Sequence, residues 1–240
     1  MQIFQSTILN NYPNLLHVFT TKADGNLAFH VGDAPENVEK NHSRLAQKHN
    51  YKKQRLLHMK QIHSKSVKIA DLQDSFSNPP SCDALITNIK EQPLMVMVAD
   101  CSPLLFFDPK QKVIAVAHAG RAGAFFNIVH NVIESFINDF NTNAKDILVS
   151  IGPAICQKCY EVNSEIAQEA AELGFEASIK RENEKYFLDI RSILKKELLE
   201  EGIALEHIEI SQECSQCNPH YFSYREDKKC GRFGAVIGLR

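Results

Sequence analysis

Two apolar runs dominate the hydropathy pattern, Leu94–Ala99 and Val113–Ala117, with a third, Leu104–Phe107, between them. Each is short, rich in β-branched or large apolar side chains, and bounded by turn signals. Asp108-Pro109 opens the turn after the third run. This pattern predicts strands buried on both faces. Beyond them Phe125, Ile128, Val129, Val132, Ile133, Phe136 and Ile137 fall on one face of a helix. Val113–Ile137 therefore reads as strand, glycine-containing turn, helix.

Weaker patterns fill in the rest. Leu15–Phe19 reads as a strand and Thr20–Gly32 as a polar turn region broken at Asp24-Gly25-Asn26. Pro35 suits the first turn of a helix running over Glu36–His49. Leu56–His63 and Ser66–Ile69 read as strand material about a bend, Asp71–Ser81 as a loop, and Cys82–Thr87 and Ile147–Ile151 as strands. Asn163 or Ser164 can cap a helix that Gly174 stops, and Asp189 can cap another that Gly202 ends. Ile208–Ile210 and Ala235–Leu239 close the chain as strands, around a polar, loop-rich segment. With no repeat or linker in between, the economical reading is one mixed α/β domain over residues 1–240.

Composition narrows the function classes. The 240 residues carry 27 basic and 29 acidic side chains, so no basic excess points to nucleic acid or an anionic membrane. No apolar run is long enough to span a bilayer, and the N-terminal stretch lacks the basic and apolar regions of a signal peptide. A cytoplasmic enzyme is expected. Seven cysteines, an odd number without an export signal, argue for reduced thiols, some of them ligands or nucleophiles.

The apolar runs lead to polar groups that do not belong in a core. The first reaches Asp100-Cys101, and the other reaches His118, followed by Ala119-Gly120-Arg121-Ala122-Gly123. Either group could be a buried core residue taken singly. Together they offer two ligands of a catalytic zinc site or a cysteine nucleophile and its base. A third ligand fits His63 better than His58, which lies five residues earlier and so faces the other way on a strand. The turn after His118 aims backbone N–H groups at the strand ends, where an anion binds well, and it carries Arg121. Tyr221, Phe222 and Tyr224 with Arg225 read as a stacking surface for a base or sugar phosphate, or as an edge strand packing its rings. Two C-x-x-C pairs, Cys156/Cys159 and Cys214/Cys217, are separated by 54 residues, longer than a zinc ribbon or knuckle normally allows. A thioredoxin-like role finds no strand-to-helix context there. His207-Ile208-Glu209 before Cys214 only superficially matches a zinc deaminase signature, since Glu213 stands where proline is required.

QIHS (61–64), CDALIT (82–87), MVADCSPLLFFDP (97–109), AVAHAG (115–120), GPAICQKCYEV (152–162) and the CSQCNPHYFSYRED…GRFGAVIGL close resemble the YfiH/YlmD family. That family is also described as laccase-domain or multicopper polyphenol oxidase, as purine nucleoside phosphorylase and as peptidoglycan-editing factor, and it is related to human FAMIN. The resemblance implies a single-domain layered α/β sandwich with a mixed sheet, of YfiH/CNF-like type. It implies a metal site of His63, Cys101 and His118, with Cys101 and His118 also catalytic. The metal is usually Zn2+, with copper also claimed. The implied activities are phosphorolysis of adenosine, inosine, guanosine and methylthioadenosine, plus adenosine deamination. The implied partners are a purine nucleoside and phosphate, with no nucleic acid and no membrane. Lys22, Asn41, Asp100, Arg121 and Arg225 are the candidate substrate or phosphate contacts. Two departures bear on phosphate handling. AHAGRAG replaces the family's AHAGWRG, putting Arg121 where tryptophan stands and Ala122 where arginine stands, and Lys22 replaces an arginine of the N-terminal loop. The competing classes are a cysteine hydrolase acting through Cys101 and His118, a copper oxidase, and a metal-stabilised nucleoside binder without turnover.

Overall fold

The computed structural model describes residues 3–71 and 73–240; Met1 and Gln2 of the N-terminal stretch and Leu72 of the expected Asp71–Ser81 loop lie outside them. The strands are β1 (Leu15–Phe19), β2 (Val67–Ile69), β3 (Ala84–Thr87), β4 (Leu94–Val98), β5 (Ser102–Asp108), β6 (Val113–Ala119), β7 (Leu148–Ile151), β8 (Glu161–Val162), β9 (Ile179–Glu182), β10 (Lys185–Leu188), β11 (Ile208–Ile210) and β12 (Phe233–Leu239). The helices are α1 (Pro35–Lys48), α2 (Arg121–Phe125), α3 (Ile128–Phe140), α4 (Ser164–Glu172) and α5 (Ile190–Glu200).

The central element is a mixed six-stranded sheet in the order β11-β7-β5-β6-β3-β2. β5, β6 and β3 run antiparallel, while β11 joins β7, and β2 joins β3, in parallel. Strand alternation divides its side chains between two cores. Ala84, Leu104, Phe106, Ala115 and Ala117 face the apolar stripes of α3 and α5, through Ile128, Val132, Phe136, Ile193 and Leu198. Leu85, Leu105, Phe107, Ile114 and Val116 face a three-stranded antiparallel sheet, β1-β12-β4. The far side of that sheet presents Leu16, Met95, Met97 and Val236 to Leu45 of α1 and to Leu27, Leu56 and Phe76. The result is a mixed α/β fold layered helix, sheet, sheet, helix.

Three expectations need correction. The long helix after His118 is broken into α2 and α3, because Asn127 takes a left-handed backbone (φ 54°) and caps α3 through a bond from His130 N–H. Leu56–His63 is not a ladder strand. Leu57 and Lys60 make single bridges only, and the Gln61 side chain replaces main-chain pairing by bonding both N–H and C=O of Met97. Cys101 does not lie on a strand neighbouring β6 through the first apolar run. That run, β4, belongs to the three-stranded sheet, and the chain crosses to the other sheet at Asp100-Cys101 to begin β5 beside β6. The polar hairpin β9–β10, turned at Asn183-Glu184 with both φ positive, has no apolar alternation to announce it.

The 54-residue gap between the C-x-x-C pairs also misleads. β7 and β11 run parallel with Ile151 opposite Ile210, so the chain leaves both strands at the same edge. Ala154 then bridges to Cys214 in parallel, and the two cysteine pairs meet.

Candidate metal centre

The register of β5 on β6 sets Pro103 opposite His118 and Ser102 opposite Ala119. Cys101, one residue before β5, thus sits beside the end of β6. His63 comes from the loop that follows Gln61, with a left-handed backbone (φ 58°) that turns its ring toward the same place. One donor atom from each of His63, Cys101 and His118 lies within 4.8 Å of the others. The imidazole rings stand 4.8 Å apart at 80°, edge to face. His118 is buried, Cys101 half-buried and His63 exposed, so the group is open to solvent on one side.

Two residues without a predicted role hold this arrangement. Asp83, fully buried just before β3, accepts His118 Nδ1–H at 2.9 Å, leaving Nε2 for Cys101. The same carboxylate accepts the main-chain N–H of Ile62 (3.2 Å), His63 (3.1 Å) and Ser64 (2.7 Å) and the Ser64 hydroxyl (2.8 Å). One side chain thereby orients both histidine segments, as carboxylates behind metal-ligating histidines do. Gly120 is the second. A Cβ there would fall 2.7 Å from Cys101 Sγ and 3.7 Å from His63 Cδ2, so the site requires glycine at this close approach. In the sequence, the sign of Asp83 is an acid directly before an apolar strand.

The electrostatics follow from the geometry. Burial opposes charge on Asp83, but its bonds to His118 and Ser64 bring the carboxyl down to about 2. Burial would raise the Cys101 thiol; His118 and then His63, both hydrogen-bonded to it, bring it down to about 6. Burial would lower His118; the Cys101 thiolate and Asp83 raise it to about 9. Without a bound ion, the pair is a thiolate facing an imidazolium near neutral pH.

The remaining candidates divide. Asp100 is strained (φ 90°) and both carboxylate oxygens are taken, by Ser215 Oγ–H and by Arg225 N–H, each at 2.6 Å. It braces the turn into Cys101. Arg225 donates Nη1–H to Glu161 C=O (3.1 Å) and lies over the Tyr160 ring, 5.1 Å from its centroid. Arg121 meets Glu169 at 3.1 Å. Tyr160 joins these residues: burial first and then the Cys101 charge raise its hydroxyl, while Arg121 and Arg225 oppose them. It lies in the motif GPAICQKCYEV. Lys22 lies over Phe222 (5.7 Å) instead. Asn41 is committed to the N-terminal loop: it donates to Asn26 C=O at 2.8 Å and accepts from Arg44 at 2.7 Å. The aromatic run is no edge strand: Tyr221 is wholly buried in the core between the sheets, while exposed Tyr224 carries Arg232 over its ring. His58 is bound to Phe76 C=O at 3.0 Å, away from the three donors.

Comparison with known proteins agrees with this architecture. A crystal structure of Bacillus licheniformis hypothetical protein YfiH superposes with a TM-score of 0.91 at 27% identity, covering 97% of this chain and 94% of that one. YlmD from Geobacillus stearothermophilus gives 0.88 at 27% identity over 95% and 93%. Among curated proteins, Escherichia coli (strain K12) "Purine nucleoside phosphorylase YfiH" is 32% identical over 217 residues, 89% of this chain and 86% of its own. Bacillus subtilis (strain 168) "Purine nucleoside phosphorylase YlmD" is 28% identical over 251 residues, 96% and 90%. Residues 18–240 match the family model described as multi-copper polyphenol oxidoreductase laccase, and the chain belongs to that laccase-like family, the family of YfiH and YlmD.

Proposed function

We propose that this chain is a zinc-dependent purine nucleoside phosphorylase that takes adenosine, inosine, guanosine and methylthioadenosine and also deaminates adenosine. The observation that carries the reading is the convergence of His63, Cys101 and His118 within 4.8 Å, with His118 oriented by Asp83. The relatives' names supply the substrate class. Two imidazoles and a thiolate suit zinc, and three protein ligands open to solvent on one side are the donor set of a catalytic rather than a structural zinc. When bound, the ion supplies Lewis-acid charge at that open position.

The protein's own residues supply the rest. Asp83 holds the Nδ1–H tautomer of His118, so Nε2 is always the ligand nitrogen. The Arg121 guanidinium exchanges Glu169 for phosphate, and Arg225, stacked on Tyr160, adds a second positive charge. In phosphorolysis, a phosphate oxygen bonds to C1′ of the ribose as the bond from C1′ to the purine nitrogen breaks. The base leaves with the bonding pair and takes up a proton. The test is metal-replete protein with adenosine and phosphate. Ribose 1-phosphate, adenine and inosine are expected, and all disappear on chelation. Formation of neither ribose 1-phosphate nor inosine, with metal bound, ends the reading.

One observation favours a second reading. Cys101, His118 and Asp83 form a thiol, imidazole and carboxylate in series, the arrangement of a cysteine hydrolase or amidase, a chemistry compatible with peptidoglycan editing. Such an enzyme works after chelation and is lost on Cys101→Ser. A multicopper oxidase is less well supported: among the described residues, the two groups able to hold an ion contain only two histidines between them.

A further inference from the structure

We propose that Cys156, Cys159, Cys214 and Cys217 form a second, closed metal site that holds one zinc ion as a tetrathiolate and locks the two loops behind Cys101. The four Sγ atoms all lie within 4.8 Å of one another, and the Cys159 and Cys217 sulfurs are 3.3 Å apart. Zinc–sulfur bonds of about 2.3 Å in a tetrahedron place the sulfurs about 3.8 Å apart, inside that range. All four thiols are free, and the Cys159–Cys217 separation is well beyond the roughly 2.05 Å of a disulfide.

Main-chain hydrogen bonds shape the two cysteine loops. Each C-x-x-C closes a tight turn: Cys159 N–H bonds Cys156 C=O at 3.0 Å, and Asn218 N–H bonds Cys214 C=O at 2.9 Å. Cys156 N–H donates to Cys214 Sγ at 3.2 Å, a main-chain bond that favours the charged sulfur. Arg191 Nη1–H bonds Ser211 C=O (2.6 Å) and Glu213 C=O (3.3 Å), which brings a cation to the loop entering Cys214. That charge suits a centre of four thiolates and one divalent ion, net charge minus two.

The site differs from the His63/Cys101/His118 group in kind. Four protein ligands leave no open position, the mark of a structural ion. Its place gives it a task. Ile155 N–H, next to Cys156, bonds Asp100 C=O at 2.9 Å, and Ser215, next to Cys214, bonds the Asp100 carboxylate at 2.6 Å. Both cysteine loops therefore grip the strained residue that precedes Cys101. A bound ion fixes the distance between the loops, and with it the turn that presents the Cys101 thiol.

The experiment separates the two sites. Wild-type protein purified under reducing conditions and dialysed against zinc is expected to hold about two ions per chain by elemental analysis. Cys101→Ala is expected to hold about one, and so is Cys159→Ser. Cobalt-loaded Cys101→Ala protein should show the intense visible absorption and sulfur charge-transfer bands of a tetrahedral tetrathiolate. If Cys159→Ser does not fold, thiol labelling of Cys101→Ala supplies the second measurement: zinc should protect these four cysteines and leave labelling of Cys230 unchanged. The proposal is overturned if reduced Cys101→Ala binds no zinc, if the four thiols react equally with and without it, or if mass spectrometry of anaerobically prepared protein finds them as disulfides. None of these readouts involves nucleosides, so the two proposals fail separately.

Discussion

Among the described residues two pairs of histidine rings face each other, and they have opposite chemistry. His63 and His118 stand 4.8 Å apart next to a thiol, with Asp83 behind them. His42 and His58 stand 6.2 Å apart, stacked at 26°, between Phe29 and Phe76 on the outer side of the three-stranded sheet. Their polar partners are neutral carbonyls: His42 Nε2 bonds Leu27 C=O at 2.8 Å and His58 Nε2 bonds Phe76 C=O at 3.0 Å. Burial lowers both, His42 to about 4, whereas the anionic partners of His118 overcome the same burial and lift it to about 9. Two close imidazoles do not make a metal ligand set. What sets the His63/His118 pair apart is the thiol beside it and the carboxylate behind it. A cavity of about 600 Å3 lies beside His58, lined by Phe29, Met59, Gln61, Phe76 and Met97, and contains none of the three donors.

The largest expected effect breaks the comparison most directly. Cys101→Ala should reduce phosphorolysis by about 1000-fold or more, the scale of losing a whole catalytic assembly. His58→Phe should leave kcat/KM within about twofold, since it replaces one ring by another in an aromatic setting. Steady-state kinetics on both variants decides the matter. An equal loss in His58→Phe, with its metal content that of the parent, would mean that the His42/His58 side takes part in turnover.

The next effect sharpens the role of Asp83. Asp83→Asn keeps the size of the side chain but removes the charge and one acceptor, so zinc affinity should fall about 10–100-fold. Competition against a chelating indicator dye measures it. The loss should appear at only one of the two metal equivalents, because the cysteine cluster does not touch Asp83. An unchanged affinity would show that His118 is held by its strand and not by its carboxylate.

What the sequence revealed follows the same division. Apolar runs bounded by turns gave β4, β5 and β6, because strands buried on both faces have no other composition available. His63 could be preferred to His58 by counting residues, yet Leu56–His63 is not a ladder strand; the two histidines diverge because Gln61 anchors the segment to Met97. Asp83 was hidden since a lone acid before a short strand looks like a turn residue. Asn127 broke a perfect apolar stripe through its backbone conformation, which hydropathy does not register. The cysteine cluster was hidden for a topological reason: sequence spacing cannot anticipate that β11 returns parallel to β7.

The smallest effect concerns the second histidine pair alone. The neutral form of His42 is favoured by burial, its folded value lying at about 4 against 6.5 for the free side chain. Between those values the unfolded chain binds the extra proton and the folded chain does not, so stability falls as pH falls. His42 contributes fully above pH 6.5, and its contribution erodes down to about pH 4. From pH 7 to pH 5.5 the loss should be about 1 kcal/mol. Asp83, with its carboxyl at about 2, contributes fully above about pH 4 and is lost only as pH falls through 2, so the two windows barely overlap. Urea unfolding of chelated protein at both pH values, parent against His42→Gln, isolates the difference. A slope in the variant equal to that of the parent would assign the acid sensitivity to another group and remove the distinction between His42, kept neutral by burial, and His118, charged by its neighbours.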